Sequence, residues 1–525
     1  MEEFSNTDDD VFLVRTKRMI DRGALLSRYS RTASLDIRDL YAREFANNEK
    51  RGTEFYKKVF IEYGDESVSE LVTAQMAIQN VSNIVSKKIE EIRVGLSFLE
   101  KSSRYVRYDK KVNGRFLFAD PGKIGLSGKA ADEYSGLCTS LFETYSELYE
   151  PMLHSLKKMY PIEEMDFMSS DEGKYIPYGN LSEQDMAIAK KSYDSSVRSR
   201  GLDDLRFLLP ASTLTNIGIS GNGRSYIELI KKLKYSGDTE AEILAEKIYR
   251  ELLNEFPGLI ENAVTQRSQD IANYETEVVK ATMLEIQGKI PAPTVSLVSG
   301  DDRNAALDRV ITLLFYHNGP SISTIGNRVA SMSIADKKNL ISRVAQLRTN
   351  RKMKPPRAFE AVNYLFEVNT NYGAFRDLQR HRFLSIIRSQ LSTAYGYDIP
   401  EVIGQIEEYR NKFVNAMEKA KRAYSLIKEK HGSNIAQYVV PYAFRYPVTV
   451  GVNLREVTYF IELRSTPQAH YDLRNISAEM FKCIKTVHPE LSEIIRFADT
   501  GHYELGRIMA EQRKERKLLG SGNSS

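Results

Sequence analysis

Apolar residues recur along this chain at helical and at alternating spacings, and that pattern divides it into elements before any chemistry is considered. Helical spacing runs through Leu25 to Phe45 and again through Phe55 to Tyr63, where it stops at Gly64. It returns at Val81, Ile84, Val85, Ile89 and Ile92, which predicts a helix over 81–93 ending near Gly95. In GDESVSELVTAQM, Ser67 and Glu70 stand as polar caps before an apolar, strand-like run. The following LSFLEKSSRYVRYD reads as a polar loop. From Ala130 to about Glu242 the pattern is mostly helical, with a polar interruption from Ser169 to Asn180 and a helix closed by Pro210.

A Pro-punctuated connector, Lys289 to Pro293, leads to a strand-like TVSLVS, and the order of elements then repeats. A helical opening (Ala305 to Tyr316), an amphipathic segment (Leu340 to Leu347) and a Pro-rich turn (Lys354 to Arg357) precede the strand-like NYLFEV. A helix leading to Arg380, a Ser/Gly loop and a long helix from Glu401 to Lys430 follow. Such self-similarity predicts two copies of one unit, residues 1–288 and 289–525, in an α+β fold.

With 525 residues, 42% hydrophobic and 27% charged, the chain is long enough for two domains and a large core. No apolar run reaches the ~18 residues that a membrane span needs. The acidic start, MEEFSNTDDD, lacks the basic-then-apolar order of a signal peptide, so a cytoplasmic protein is expected. Cys138 and Cys483 lie in helical runs as small core hydrophobes, and the spacing of the His residues matches no metal motif. A net charge of +4 is too mild to indicate nucleic acid, and the basic tail from Arg513 to Lys517 reads as a solvated, frayed end.

The chemistry concentrates in NYGAFRDLQRHRFLSIIRSQLSTAYGYDIP, where Arg380, His381 and Arg382 stand together at a helix end. Guanidinium forks grip phosphate or carboxylate oxygens bidentately, so the cluster suits a polyanion. RHR followed by Ser385 resembles the signature of the flavin-dependent thymidylate synthases, whose pattern continues with a Glu, a Ser and an Arg-Tyr pair. Here Arg388, Gln390, Ser392 and Thr393 replace that continuation. The first half shows the converse: Ile92, Arg93 and Val94 replace RHR, whereas Ser97, Glu100, Ser102, Arg104 and Tyr105 reproduce the rest, with Ser103 between. Downstream, the first half keeps Arg206, Pro210, Asn222 and Arg224 but has Leu233 where the family has a late Arg. The second half has Gln437, Pro441, Asn453 and Arg455 and keeps that Arg as Arg464. Asp65 and Pro355 replace a family His, Glu228 and Tyr459 replace an Asn or His, and Asp377 is a further altered position.

The resemblance implies two tandem thymidylate-synthase-like domains packed as an internal pseudo-dimer, the fused chain pairing as a homodimer to mimic the family's homotetramer. It implies reductive methylation of dUMP to dTMP with methylenetetrahydrofolate, FAD and NADPH. Arg104, Arg206, Arg380 and Arg464 would hold the nucleotide, with Ser103 and Tyr105 beside it. Ser102 and Glu100 would place the pyrimidine, with Arg464 at the reacting centre. His381, Arg382, Ser385, Asn453 and Arg455 would face the flavin. The opposite site, with Ile92, Val94, Leu233, Gln390 and Gln437, would have lost its cations and stay empty. Plain salt bridges are the alternative: Arg206 with Asp203, Arg464 with Glu462 or Asp472. A different pyrimidine nucleotide, or a flavin- or nucleotide-binding scaffold without turnover, would also suit the drifted motifs.

Overall fold

The computed structural model describes residues 3–7, 9–33, 36–62, 66–282, 294–318 and 321–522. Helices α1 (Met19–Tyr29), α2 (Ile37–Glu44) and α3 (Arg51–Glu62) open the chain and lead to strand β1 (Thr73–Ser82), helix α4 (Asn83–Ile89) and strand β2 (Leu96–Glu100). The long α5 (Gly128–Met159), a hairpin of β3 (Asp166–Met168) and β4 (Tyr175–Pro177), and α6 (Glu183–Leu205) follow. Then come β5 (Leu214–Asn222), α7 (Gly223–Lys234), α8 (Thr239–Glu255) and α9 (Gln266–Ala281).

The second half begins with β6 (Val295–Gly300), α10 (Arg303–Phe315), α11 (Ile322–Ala330) and α12 (Ile334–Gln346). It continues through β7 (Asn363–Asn371), α13 (Tyr372–Leu378), β8 (Ser385–Arg388), α14 (Glu401–Gln405), α15 (Glu407–His431) and α16 (Ser433–Ala436). β9 (Arg445–Asn453), α17 (Leu454–Arg464), α18 (Tyr471–Val487) and α19 (Ile508–Gly522) complete the chain.

Besides the two-stranded β3–β4 hairpin, each half builds one larger antiparallel sheet of corresponding order, β1-β5-β2 in the first and β6-β7-β9-β8 in the second, where β6 adds an edge. The registers correspond as well. Ser97 lies opposite Ser220 in β5, and Ser385 lies opposite Gly451 in β9. Both central strands end at an Asn that caps the helix behind it: Asn222 accepts from Ser225 N and Asn453 from Glu456 N, each at 2.9 Å. Between the halves, Pro210 and Pro441 face each other in an antiparallel bridge. The flanking hydrogen bonds come in exchanged pairs. Ala211 N donates to Val440 O and Tyr442 N to Leu209 O; Ser212 N donates to Tyr438 O and Ala443 N to Phe207 O. Buried residues of α5 and α6 share one continuous core with the second sheet, while α1–α3, α7 and α8 cover the first sheet with a separate core.

Several readings of the sequence need correction. The helix predicted over 81–93 is only Asn83–Ile89, because β1 runs on to Ser82, whose hydroxyl caps α4 by accepting from Val85 N. The polar loop after it begins as strand β2, and the Ser/Gly loop after Arg382 contains β8, both recruited by pairing with a central strand. The interruption at Ser169 to Asn180 belongs to the β3–β4 hairpin. The long helix from Glu401 breaks at Ile406, which is extended. The basic tail is not frayed: α19 packs on α6, and Arg516 pairs with the buried Asp185 at 2.9 Å. Cys138 is buried as expected, whereas Cys483 is only half-buried. Gly64, Asp65 and the connector from Lys289 to Pro293 lie outside the described residues. No described helix is long and apolar enough to cross a membrane.

Candidate functional site

The α13 helix and the turn after it bring Arg376, Asp377 and Arg380 against the first half of the chain, while His381 packs on Tyr459 and Phe460 of α17. Asn371 fixes where the helix starts by accepting from Ala374 N at 2.9 Å, and every residue of α13 is buried. Asp377 lies at the centre of a set of arginines drawn from both halves. Arg206 Nη1 approaches its carboxylate at 3.4 Å and Arg380 Nη1 at 3.3 Å, while Arg464 Nη2 donates to its backbone carbonyl at 3.3 Å. Burial alone would raise the Asp377 carboxyl, but Arg380, Arg206, Arg104 and Arg464 together hold it well below its usual range. It is therefore a fixed anion.

Arg104 is next in this cluster, clamped bidentately by Asp203 at 2.7 and 2.8 Å. Glu100, 1% exposed at its side chain, takes Lys87 Nζ at 2.9 Å, Arg376 Nη2 at 3.0 Å and Arg380 at 3.6 Å. Burial raises that carboxyl too, and Arg376, Lys87 and Arg380 overcome the effect and keep it ionised. Arg464 Nε donates to His381 Nε2 at 2.7 Å. An imidazole that accepts from a guanidinium must be neutral at that nitrogen, and burial reinforced by Arg464 lowers His381 to about 3. This end of the site thus carries a permanent cation and a neutral ring.

The structure gathers Arg104, Arg206, Arg380, Arg464, Glu100, His381 and Ser103, whose hydroxyl accepts from Arg376 Nη1 at 3.2 Å. Ser102 accepts from Arg104 N at 3.3 Å in the same turn. Tyr105 points outward, 65% exposed, under the guanidinium of Arg507. The alternative salt bridges are absent: Asp203 holds Arg104, Glu462 holds Arg348, and Asp472 accepts from Asn371. The sequence reading missed Lys87 and Arg376, gave Asp203 to Arg206 rather than to Arg104, and treated Asp377 only as an altered position. Arg376 precedes Arg380 by one helical turn, a spacing that places both on one face, and this was the available signal.

The five residues assigned to the flavin divide into two groups. His381, Arg382 and Ser385 follow α13, and Arg382 donates to Leu96 O. Asn453 is the cap of α17, and Arg455 donates to Pro355 O at 2.7 Å and pairs with Glu360 at 2.8 Å. Ser385 opposite Gly451 brings the two groups onto one edge of the second sheet. Two guanidinium groups, a hydroxyl and an amide suit a pyrophosphate in chemical type.

A cleft of about 330 Å³ between α13 and β8 is lined by Arg93, Lys232 and Arg388 together with His381, Leu384, Ser385 and Ile386; Ile92, Val94, Leu233, Gln390 and Gln437 do not line it. Glu91 neutralises two of them, bonding Arg388 and lying 2.5 Å from Lys232. Leu233 is buried, Val94 is 84% exposed, and Gln437 donates to Asn434 O at 3.1 Å. Arg388 holds the register position in β8 that Glu100 holds in β2, so the charge at this point is reversed between the halves.

The family profile described as thymidylate synthase complementing protein matches residues 19–258 and 313–490, most of the chain and part of each half. The chain belongs to this family. Over its full length it is similar to a UPF0159 protein of Thermoplasma acidophilum, with 52% identity over 96% of this chain and 100% of that protein. It is also similar to a UPF0159 protein of Chlamydia muridarum, with 32% identity over 97% and 96% of the two chains. A flavin-dependent thymidylate synthase of Campylobacter jejuni matches at 26% identity, over 35% of this chain and 95% of its own length. The similarity therefore extends from whole-length relatives to shorter proteins that match about a third of the chain.

Proposed function

We propose that this chain is a flavin-dependent enzyme that reductively methylates dUMP to dTMP, drawing on methylenetetrahydrofolate and NADPH. The observation that carries this reading is the convergence of Arg104 and Arg206 from the first half with Arg380 and Arg464 from the second around one buried position. Converging guanidinium groups in a water-poor site are what a nucleotide phosphate requires. When bound, the flavin supplies the redox chemistry. His381, Arg382, Ser385, Asn453 and Arg455 are the residues to hold it.

The remaining task falls to the chain's own side chains. Arg206 and Arg380, both tied to Asp377, supply a preset cationic wall, so little reorganisation is needed when an anion arrives. Glu100 stays ionised and, with Ser102 and Ser103, offers acceptors and hydroxyl groups for a pyrimidine edge. The neutral His381 orients Arg464 without adding a charge.

The corresponding sheet orders and the exchanged hydrogen bonds around Pro210 and Pro441 support a tandem duplication packed as an internal pseudo-dimer, with units at 1–288 and 289–525. Leu99 on β2 and Ile387 on β8 are 81% and 73% exposed at corresponding register positions, and these bare apolar side chains support assembly of two fused chains into a homodimer. A cytoplasmic location is part of the same reading.

A second reading is transfer onto another pyrimidine nucleotide, because Asp377, Pro355 and Tyr459 depart from the family's pattern and change what the site offers a substrate. Visible absorbance of the purified chain reconstituted with FAD, followed by NADPH-dependent release of the C5 hydrogen from dUMP, tests the proposal. A flavin-loaded protein that releases no hydrogen from dUMP but does so from another pyrimidine nucleotide moves the assignment to the second reading. A protein that takes up no flavin overturns both.

A further inference from the structure

Beside Arg104 and Asp203, a small cavity of about 40 Å³ that Asp377 does not line lies between α6, the start of α18 and the segment Tyr503–Arg507 that precedes α19. At ~10–15 Å³ per water this is room for about three waters, close to the size of one tetrahedral oxyanion. Its lining is unbalanced in a definite sense. Arg200 Nε and Nη2, Arg507 Nε, the Ser196 hydroxyl and the Tyr471 hydroxyl are all buried without a hydrogen-bond partner among the protein atoms. Each of them can donate. The lining carboxylates, in contrast, are already engaged: Asp203 by both nitrogens of the Arg104 fork, and Glu504 by the Tyr160 hydroxyl at 2.7 Å and by His502 at 2.6 Å. Arg200 pairs with Asp204 and Glu401 at 3.5 Å, and the Tyr471 hydroxyl also faces the Asp204 carboxylate, so the donors that most lack an acceptor are Arg507 and Ser196. Arg507, 7% exposed, bonds the Ser199 hydroxyl at 3.3 Å and lies over the Tyr105 ring, and among the described residues no carboxylate stands within ion-pair distance of it. Buried donors with no acceptor, around a space of this size, are costly unless an acceptor fills it.

We infer that this cavity is a binding pocket for a small oxyanion, a phosphate or the phosphoryl group of a larger ligand, held by Arg200, Arg507, Ser196 and Tyr471 beneath the Tyr503–Arg507 segment. The pocket is independent of the chemistry proposed for the Asp377 cluster. Only Arg104 and Asp203 border both.

Calorimetric titration of the full chain with inorganic phosphate, at constant ionic strength in chloride, tests this. One saturable equivalent per chain is expected. Arg507→Met, Tyr471→Phe and Ser196→Ala should each weaken it, Arg507→Met by about tenfold or more, since a hydrogen bond from a charged donor contributes on that order. Ser196→Ala removes a hydroxyl that has no protein partner, so it keeps the test valid if Arg507→Met does not fold. Lys412→Met, on the exposed face of α15 and outside both sites, should leave phosphate binding unchanged. Adding dUMP separates the two sources of the anion. Displacement of phosphate, with dUMP binding also weakened in Tyr471→Phe, identifies the ligand's own phosphoryl group; simultaneous binding identifies a free anion. No phosphate binding, or binding retained in Arg507→Met, Tyr471→Phe and Ser196→Ala alike, overturns the inference.

Discussion

Arg206 and Asp377 are 171 residues apart in the sequence and 3.4 Å apart in the structure, with side chains only 2% and 4% exposed. Removing one member of a buried pair leaves the other charge uncompensated, which costs about 3–5 kcal/mol. Asp377→Asn should therefore lower stability by that order in denaturant titration. Because the arginines would then lack their internal anion, phosphate or dUMP should restore much of the loss. A variant as stable as the parent and indifferent to phosphate would show that Asp377 does not hold the cluster together.

The four arginines should act as one site despite their division between the halves. Replacing Arg104, Arg206, Arg380 or Arg464 with Met should weaken dUMP by about 1.5–3 kcal/mol each, the range for hydrogen bonds to charged groups. Gln437→Ala and Ser392→Ala should be nearly silent. Equal losses in both sets, measured by equilibrium binding, would contradict a single live site.

Stoichiometry follows from the cleft beside β8. Glu91 already holds Arg388 and Lys232 there, so no cation pair is left for a second phosphate to claim without breaking an ion pair. One nucleotide per 525-residue chain is expected in calorimetric titration. Two equal sites would show that the Glu91 network opens.

His381 gives a pH signature. Its pKa falls from 6.5 to about 3 on folding, through burial and then Arg464, so the unfolded chain binds a proton that the folded chain refuses. The stability this ring contributes is fully present above pH 6.5 and is lost as pH falls toward 3, with a slope of up to about 1.4 kcal/mol per pH unit. His381→Gln should flatten that part of the acid limb by about one proton. An unchanged limb would mean that the ring is protonated in the fold.

Assembly is tested at the outward positions of the edge strands. Leu99→Glu with Ile387→Glu should leave the monomer folded but shift the molecular mass in light scattering from dimer to monomer. A parent chain that is already monomeric, or a double variant that remains dimeric, would remove these residues from the interface.

The sequence carried the motifs and the order of elements but not the pairings that complete the site. Complementary retention of Arg104 and Arg206 in one half and Arg380 and Arg464 in the other was legible because each residue belongs to a local pattern. Asp203 as the partner of Arg104, and Lys87 as a partner of Glu100, were not, since ion pairs across 99 and 13 residues leave no local spacing to read. Strands β2 and β8 looked like loops for a related reason. Four or five residues give too short an alternation to identify, and their strand character comes from the ladder offered by β5 and β9. The helix break at Ile406 and the packed tail likewise depend on distant contacts.

The reversed charge at the matching positions Glu100 and Arg388 has a genetic corollary. In an assembly of identical subunits one codon change alters every copy of a position together, so no arrangement can require a glutamate at one corner and an arginine at its counterpart. A chain that encodes both corners separately is free of that constraint. Each can then drift under its own selection, and one corner can be given over to architecture while the other keeps its chemistry.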